Sequence, residues 1–270
     1  MGSYAGSSDW DDLPDASSFD AFRPRPIEPV APPASAPTDV DAPASTGPKP
    51  RLNAIFAFDT TGSMTKWVEN VRDKMQYLAV GLSKLLDIEI EVIGVGDHTD
   101  GRGMLQIHPF TRDTERLNTS LAELHATDGG DTPEAFECLF KVLNTVDYPV
   151  PTVLIIVTDS IPHDMDDWEG DDDGCPFGVD WLTELNALKK RLRKIYLVSC
   201  ATDPAVLALQ RQLVGANGLF QLDDMRRLVN LVMALCMDEV GELDEFMALL
   251  ERQRGPERRR EVEALLGSRG

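Results

Sequence analysis

The sequence predicts an α/β protein built on a doubly wound, mostly parallel six-stranded sheet with one antiparallel edge strand. Three observations carry this prediction. Two short apolar runs, Leu52 to Phe58 and Val153 to Thr158, have the near-continuous hydrophobicity of strands covered on both faces, and each is followed by an aspartate. Further strand patterns at 88–98, 104–110, 195–201 and 219–222 alternate with stretches of helical period. The Asp100-Gly101 pair between the second and third strand patterns is hairpin chemistry, and Pro109 suits an edge position, where a missing amide donor costs little.

Residues 1–50 are rich in Pro, Ala, Ser and Asp, a composition that buries too little apolar surface to offset the entropy of ordering. A disordered tail is expected there. Trp10, Leu13, Phe19 and Phe22 belong either to a solvated segment or to a short motif that folds on a partner. An α/β domain is expected over 51–240. Its first helix, 64–86, carries Trp67, Val71, Met75, Leu78, Leu82 and Leu85 at three- and four-residue steps, which makes a core-facing stripe. Helices are expected at 114–125 and 133–146, the second with Asp131 or Thr132 as cap and Pro133 in its first turn, and then at 181–194, 204–214 and 225–240. The last 30 residues, 241–270, form a helical tail with a break at Gly255-Pro256. Its apolar faces, with Phe246, Leu250, Val262 and Leu265, are too small to fold alone and must pack on the domain or on another chain.

Composition narrows the function. A chain of 270 residues, 42% hydrophobic, suffices for one sizeable domain with tails. No apolar stretch is long enough to span a bilayer, and the first residues lack the basic start and apolar run of a secretory leader, so the cytoplasm is the expected compartment. The net charge of −20 sets up a field that repels nucleic acid and anionic membrane, so neither is an expected partner. Cys138, Cys175, Cys200 and Cys236 form no Cys-x-x-Cys pair. The spacing therefore indicates neither a zinc site nor a disulfide framework, and Cys138, Cys200 and Cys236 are read as small buried hydrophobes. The run 164–173 is an acidic insertion. It approaches a calcium loop only with Glu169 in first place and Asp180 in last, and no helix enters it. His163, just before it, reads as a loop residue.

The chemistry gathers around Asp59-Thr60-Thr61-Gly62-Ser63. This stretch lies at the carboxyl end of the first strand, where open α/β sheets place ligands. Asp59, Thr61 and Ser63 alternate, so in an extended turn their oxygens share one side while Thr60 and Gly62 face elsewhere. One carboxylate and two hydroxyls suit a hard divalent ion, Mg²⁺, Mn²⁺ or Ca²⁺; they also suit a simple helix cap. Asp159 ends the second apolar run on the same sheet edge, and the loop Asp128-Gly129-Gly130-Asp131-Thr132 offers Asp131 and Thr132.

With these three stretches in order the chain resembles the von Willebrand factor A domain family, in which a metal-ion-dependent adhesion site combines an Asp-x-Ser/Thr-x-Ser loop with a second-loop Thr or Asp and a third-loop Asp. The matching positions are Asp59, Thr61 and Ser63, then Asp131 or Thr132, then Asp159. The resemblance covers about residues 51–240. It implies the antiparallel third strand, a bound divalent ion and a protein partner that offers an acidic side chain. For intracellular bacterial members it implies action beside an AAA+ ATPase of the MoxR type or with a kinase and a phosphatase in stress or conflict systems. Enzymatic chemistry is not expected. The loop lacks the Gly-Lys-Ser/Thr of a phosphate cradle, His98, His108 and His125 lie on separate elements, and no nucleophile has a base at motif spacing. The expected function is thus a metal-dependent interaction module, a bacterial cytoplasmic adaptor. The alternatives are a structural subunit that binds through its tails and a metal-dependent hydrolase.

Overall fold

A computed structural model of the chain describes residues 48–64, 75, 77–127, 129, 133–163, 165, 174–222 and 227–267. The expected tail up to residue 47, the stripe residues Trp67 and Val71, the site candidates Asp131 and Thr132, and all of the acidic insertion except Met165 lie outside the described residues.

Six strands form one sheet: β1 (Arg51–Asp59), β2 (Asp87–Val95), β3 (Leu105–Thr111), β4 (Thr152–Thr158), β5 (Lys194–Ser199) and β6 (Leu219–Gln221). Their order is β3-β2-β1-β4-β5-β6, with every pair parallel except β2 and β3. The expected sheet class is the observed one. The chain runs outward from β1 to β2 and β3, then returns to the other side of β1 as β4. The order therefore reverses between β1 and β4, which opens a crevice beyond their carboxyl ends. Register does the rest, because Phe58 pairs with Val157 and so Asp59 and Asp159 leave the sheet side by side.

Side-chain alternation along β1 builds two cores. Leu52, Ala54, Phe56 and Phe58 face one layer; Ile55 and Ala57 face the other. The first layer contains α1, helical over 77–85, together with α2 (Thr114–Glu123), α6 (Leu228–Glu239), α7 (Leu243–Arg254) and α8 (Pro256–Gly267). The second contains α3 (Phe136–Leu143), α4 (Trp181–Leu188) and α5 (Pro204–Val214). Of the two fates open to the C-terminal helices, packing on the domain is the one seen. Phe246, Met247, Leu250, Val262 and Leu265 join the first core, and Gly255, at φ 87°, makes the turn between α7 and α8 that a side chain would strain.

Among the helix boundaries that differ from expectation, the start of α3 and the end of α4 each have a local reason. α3 begins at Phe136, not Pro133, and its cap residue Ala135 makes no side-chain capping bond. Glu134 instead donates its amide to the Ile161 carbonyl at 2.8 Å and bridges Pro162, which holds this loop in extended form against the chain leaving β4. α4 ends at Leu188, because Lys190 and Arg191 close turns on Ala187 and Leu188 and Lys194 already pairs in β5. The basic cluster 189–194 therefore lies in a turn and a strand start, not along a final helical turn.

Candidate metal centre

At the carboxyl end of β1, Asp59 is fully buried and held from three directions. Its Oδ1 accepts the Thr61 amide at 3.0 Å and the Thr61 hydroxyl at 2.6 Å, while Oδ2 accepts the Thr158 hydroxyl at 2.6 Å. Ser63, in the single 3₁₀ turn Gly62–Met64, donates its hydroxyl to Asp159 Oδ1 at 3.0 Å. Thr60 turns the other way, its hydroxyl and amide both bonded to the Val95 carbonyl of β2. Four of the six residues read from the sequence, Asp59, Thr61, Ser63 and Asp159, are thus brought together. Asp131 and Thr132 lie outside the described residues.

The arrangement has a floor and a rim. Asp59 and Thr61 are buried, Asp159 is half-buried and Ser63 is exposed. Burial pushes the Asp59 carboxyl up to about 6 against the hydrogen bonds from Thr158 and Thr61, with the nearby Asp159 charge pushing the same way. Glu134, which the sequence analysis did not single out, also joins this floor. It is fully buried beside Thr61, neither carboxyl oxygen has a hydrogen-bond partner, and burial followed by the Asp59 charge pushes it up to about 10.

This donor set fits a divalent cation. Thr61, Ser63 and Thr158 each commit the hydroxyl proton to a carboxylate, which leaves oxygen lone pairs free to coordinate. Glu134, pushed up to about 10, is uncharged at neutral pH and adds only oxygen lone pairs below them, and all the ligands are hard oxygens.

A second cluster lies at the end of β2 and was not read from the sequence. His98 Nε2 is 2.9 Å from Glu137 Oε1, 3.4 Å from Cys138 Sγ and 3.6 Å from Cys175 Sγ. The two sulfurs are 3.6 Å apart. His163 is no simple loop residue: it is buried, its ring centroid is 4.2 Å from that of His98, its Nε2 is 3.3 Å from Asp97 Oδ1, and its amide donates to Glu137 Oε2 at 3.2 Å. Burial opposes charge throughout this cluster, yet the hydrogen bonds to Asp97 and Glu137 push His163 up to about 10. By the same exchange His163 and His98 hold Glu137 down to about 2. Cys138 is accordingly more than a space-filling hydrophobe. Cys236, at the centre of α6, is fully buried in the first core as expected.

No family model and no curated protein matches the sequence. Among solved structures the chain is similar to the von Willebrand factor domain of the type V pili tip protein Mfa5 from Porphyromonas gingivalis, with 11% identity and a TM-score of 0.54 over 72% of this chain and 97% of that one. It is also similar to the pilus adhesin SpaC from Lactobacillus rhamnosus GG in its open conformation, with 13% identity and a TM-score of 0.50 over 74% of this chain. The chain spans only 30% of that adhesin. At these identities the likeness is one of fold, and the fold is that of a von Willebrand factor A-like domain.

Proposed function

We propose that the chain is a protein-interaction module whose contact surface is completed by a divalent ion at the β1–β4 edge. The observation that carries this reading is the pairing of hydroxyls with carboxylates there, buried at Asp59 and Thr61 and open at Ser63 and Asp159. Asp59, Thr61, Ser63 and Asp159 hold the ion, Asp131 or Thr132 completes the set from the neighbouring loop, and Mg²⁺ is the resident metal. When bound, the ion offers an open coordination position to a hard oxygen ligand such as a partner's Asp or Glu. The chain's own part is to fix the lone pairs: Thr158 and Thr61 keep the Asp59 carboxylate from turning, and Asp159 orients the Ser63 hydroxyl.

The setting we infer is a bacterial cytoplasmic adaptor that serves an AAA+ ATPase or a kinase and phosphatase pair. The four cysteines lie far apart in sequence and form no Cys-x-x-Cys pair, a usage that suits a reducing compartment. No helix of the described residues is long and apolar enough to cross a membrane. We favour binding rather than catalysis at this edge, where, among the described residues, His98 and His163 are tied to Asp97 and Glu137 and not to Asp59, Thr61, Ser63 or Asp159. Calorimetry with Mg²⁺ tests the reading: wild type should take up one ion, and Asp59→Ala should take up none while keeping its circular dichroism spectrum. Unchanged uptake by that variant would remove the site from this edge.

A further inference from the structure

The cluster of His98, Glu137, Cys138 and Cys175 is separate from the β1–β4 edge and plays no part in the function proposed above. Each residue turns one donor atom inward, and all four atoms lie within 4.8 Å of one another. A tetrahedral zinc ion with bonds of about 2.3 Å to sulfur and about 2.0–2.1 Å to nitrogen or oxygen requires donor–donor edges of about 3.8 Å for S–S, about 3.5–3.7 Å for S–N or S–O, and about 3.3 Å for N–O. The observed edges are 3.6 Å between the sulfurs, 3.4 and 3.6 Å from sulfur to His98 Nε2, and 3.7 Å from Cys138 Sγ to Glu137 Oε1. Of the other two edges, Nε2 to Oε1 is 2.9 Å, the length of a hydrogen-bonded ion pair that opens by a few tenths of an ångström when its proton is replaced by a metal, and Cys175 Sγ lies within 4.8 Å of the Glu137 oxygen.

We propose that these four residues form a closed structural zinc site. Ion pairing accounts for part of the cluster without a metal, since Glu137 pairs with His98 and Asp97 pairs with His163. It does not account for two thiols converging on the same imidazole nitrogen. Two soft sulfurs with one imidazole and one carboxylate in tetrahedral array select zinc among the common divalent ions. The surroundings match what such a site needs around its ligands. The His163 amide fixes Glu137, Asp97 Oδ1 lies 3.9 Å from His98 Nδ1 on the side away from the cluster, and the Val179 amide donates to Cys175. Uptake of Zn²⁺ releases the two thiol protons and the proton shared by His98 and Glu137. All four ligands come from the chain and all are buried, so no position is left open for a substrate. The site therefore staples three segments: the turn after β2, the first turn of α3, and the loop that carries Cys175 back from the acidic insertion.

Metal analysis of the full-length protein, purified without added metal, tests this. The expected result is one zinc per chain in wild type and in Asp59→Ala, and none in the Cys138→Ser/Cys175→Ser double variant. If the double variant fails to fold, wild type carries the test. After removal of zinc and addition of Co²⁺ it should show the intense visible bands of a tetrahedral ion and a thiolate-to-cobalt charge-transfer band. Zinc retained by a folded double variant, a Cys138–Cys175 disulfide by mass spectrometry, a different metal at one equivalent, or a cobalt spectrum without thiolate bands would each overturn the assignment. Retention of zinc in Asp59→Ala separates this outcome from any failure of the interaction site.

Discussion

At the scale of single residues, the two clusters differ in how the chain balances buried charge. Asp59 is a carboxylate whose ionised form is opposed by burial and helped by three donated hydrogen bonds. Asp59→Asn keeps the shape and still accepts from Thr61, so it should abolish Mg²⁺ binding while the melting temperature measured in EDTA holds or rises. A clear fall in that melting temperature would show that the carboxylate is structural. Glu91 in β2 offers a cleaner reading of buried charge, because its Oε2 lacks a partner and burial pushes the group from 4.5 up to about 8. With the folded value above the unfolded one, the native state binds the extra proton between the two. The contribution of Glu91 to stability is fully present below pH 4.5, declines as pH rises, and is lost above about 8. Between pH 4.5 and pH 7 the decline in this contribution amounts to about 3 kcal/mol. Glu91→Gln should flatten this slope, so urea denaturation should show it close to wild type at pH 4.5 and more stable by about 3 kcal/mol at pH 7. Parallel pH profiles for the two proteins would refute the assignment.

At the scale of elements, what was legible in the sequence was whatever is written locally. β1 and β4 announce themselves because a parallel strand covered on both faces has no polar alternation, and the Asp59, Thr61 and Ser63 spacing lies within one turn. The second cluster was not legible, since Cys138 is 40 residues from His98 and Cys175 a further 37 along. Only the parallel topology joins them, and no short-range spacing signals it. The start of α3 was misread for a related reason. Pro133 and the residues before it look like a helix cap, but the amide of Glu134 finds a better partner in Ile161 across the sheet edge. Gly129 in the same loop is needed for close approach: a Cβ there would stand 2.7 Å from that of Asp97 and 2.5 Å from Asp100 Oδ2. The fate of the last two helices was open in sequence, and burial decides it. Phe246 of α7 is 4% exposed and belongs to the core of β1 and α6. Phe246→Ala should cost about 3–5 kcal/mol in chemical denaturation. A loss below 1 kcal/mol would mean that α7 and α8 contribute little to the domain's stability.

At the scale of the whole molecule, a net charge of −20 sets the terms on which any partner approaches the β1–β4 edge. An acidic partner is repelled at long range, and the acidic run 164–173 follows Asp159 closely in sequence, so the long-range field and the proposed short-range contact act in opposite directions. Salt separates them. Raising ionic strength from about 10 mM to about 150 mM shortens the screening length from about 30 Å to about 8 Å, which weakens repulsion between whole surfaces far more than a desolvated contact between ion and carboxylate. With the partner in hand, its association rate should therefore rise with salt while its affinity still depends on Mg²⁺. Asp59→Ala and Ser63→Ala should then be compared with wild type in Mg²⁺ and in EDTA. Loss of a desolvated charge contact costs about 2–5 kcal/mol, so Asp59→Ala in Mg²⁺ and wild type in EDTA should both bind at least about thirtyfold more weakly than wild type in Mg²⁺. Ser63→Ala should fall between, because it removes a neutral ligand and leaves Asp159 in place. Equal affinities across all these conditions would show that the partner uses another face of the chain, and a rate that falls with salt would show that the partner's own contact surface is basic, not acidic.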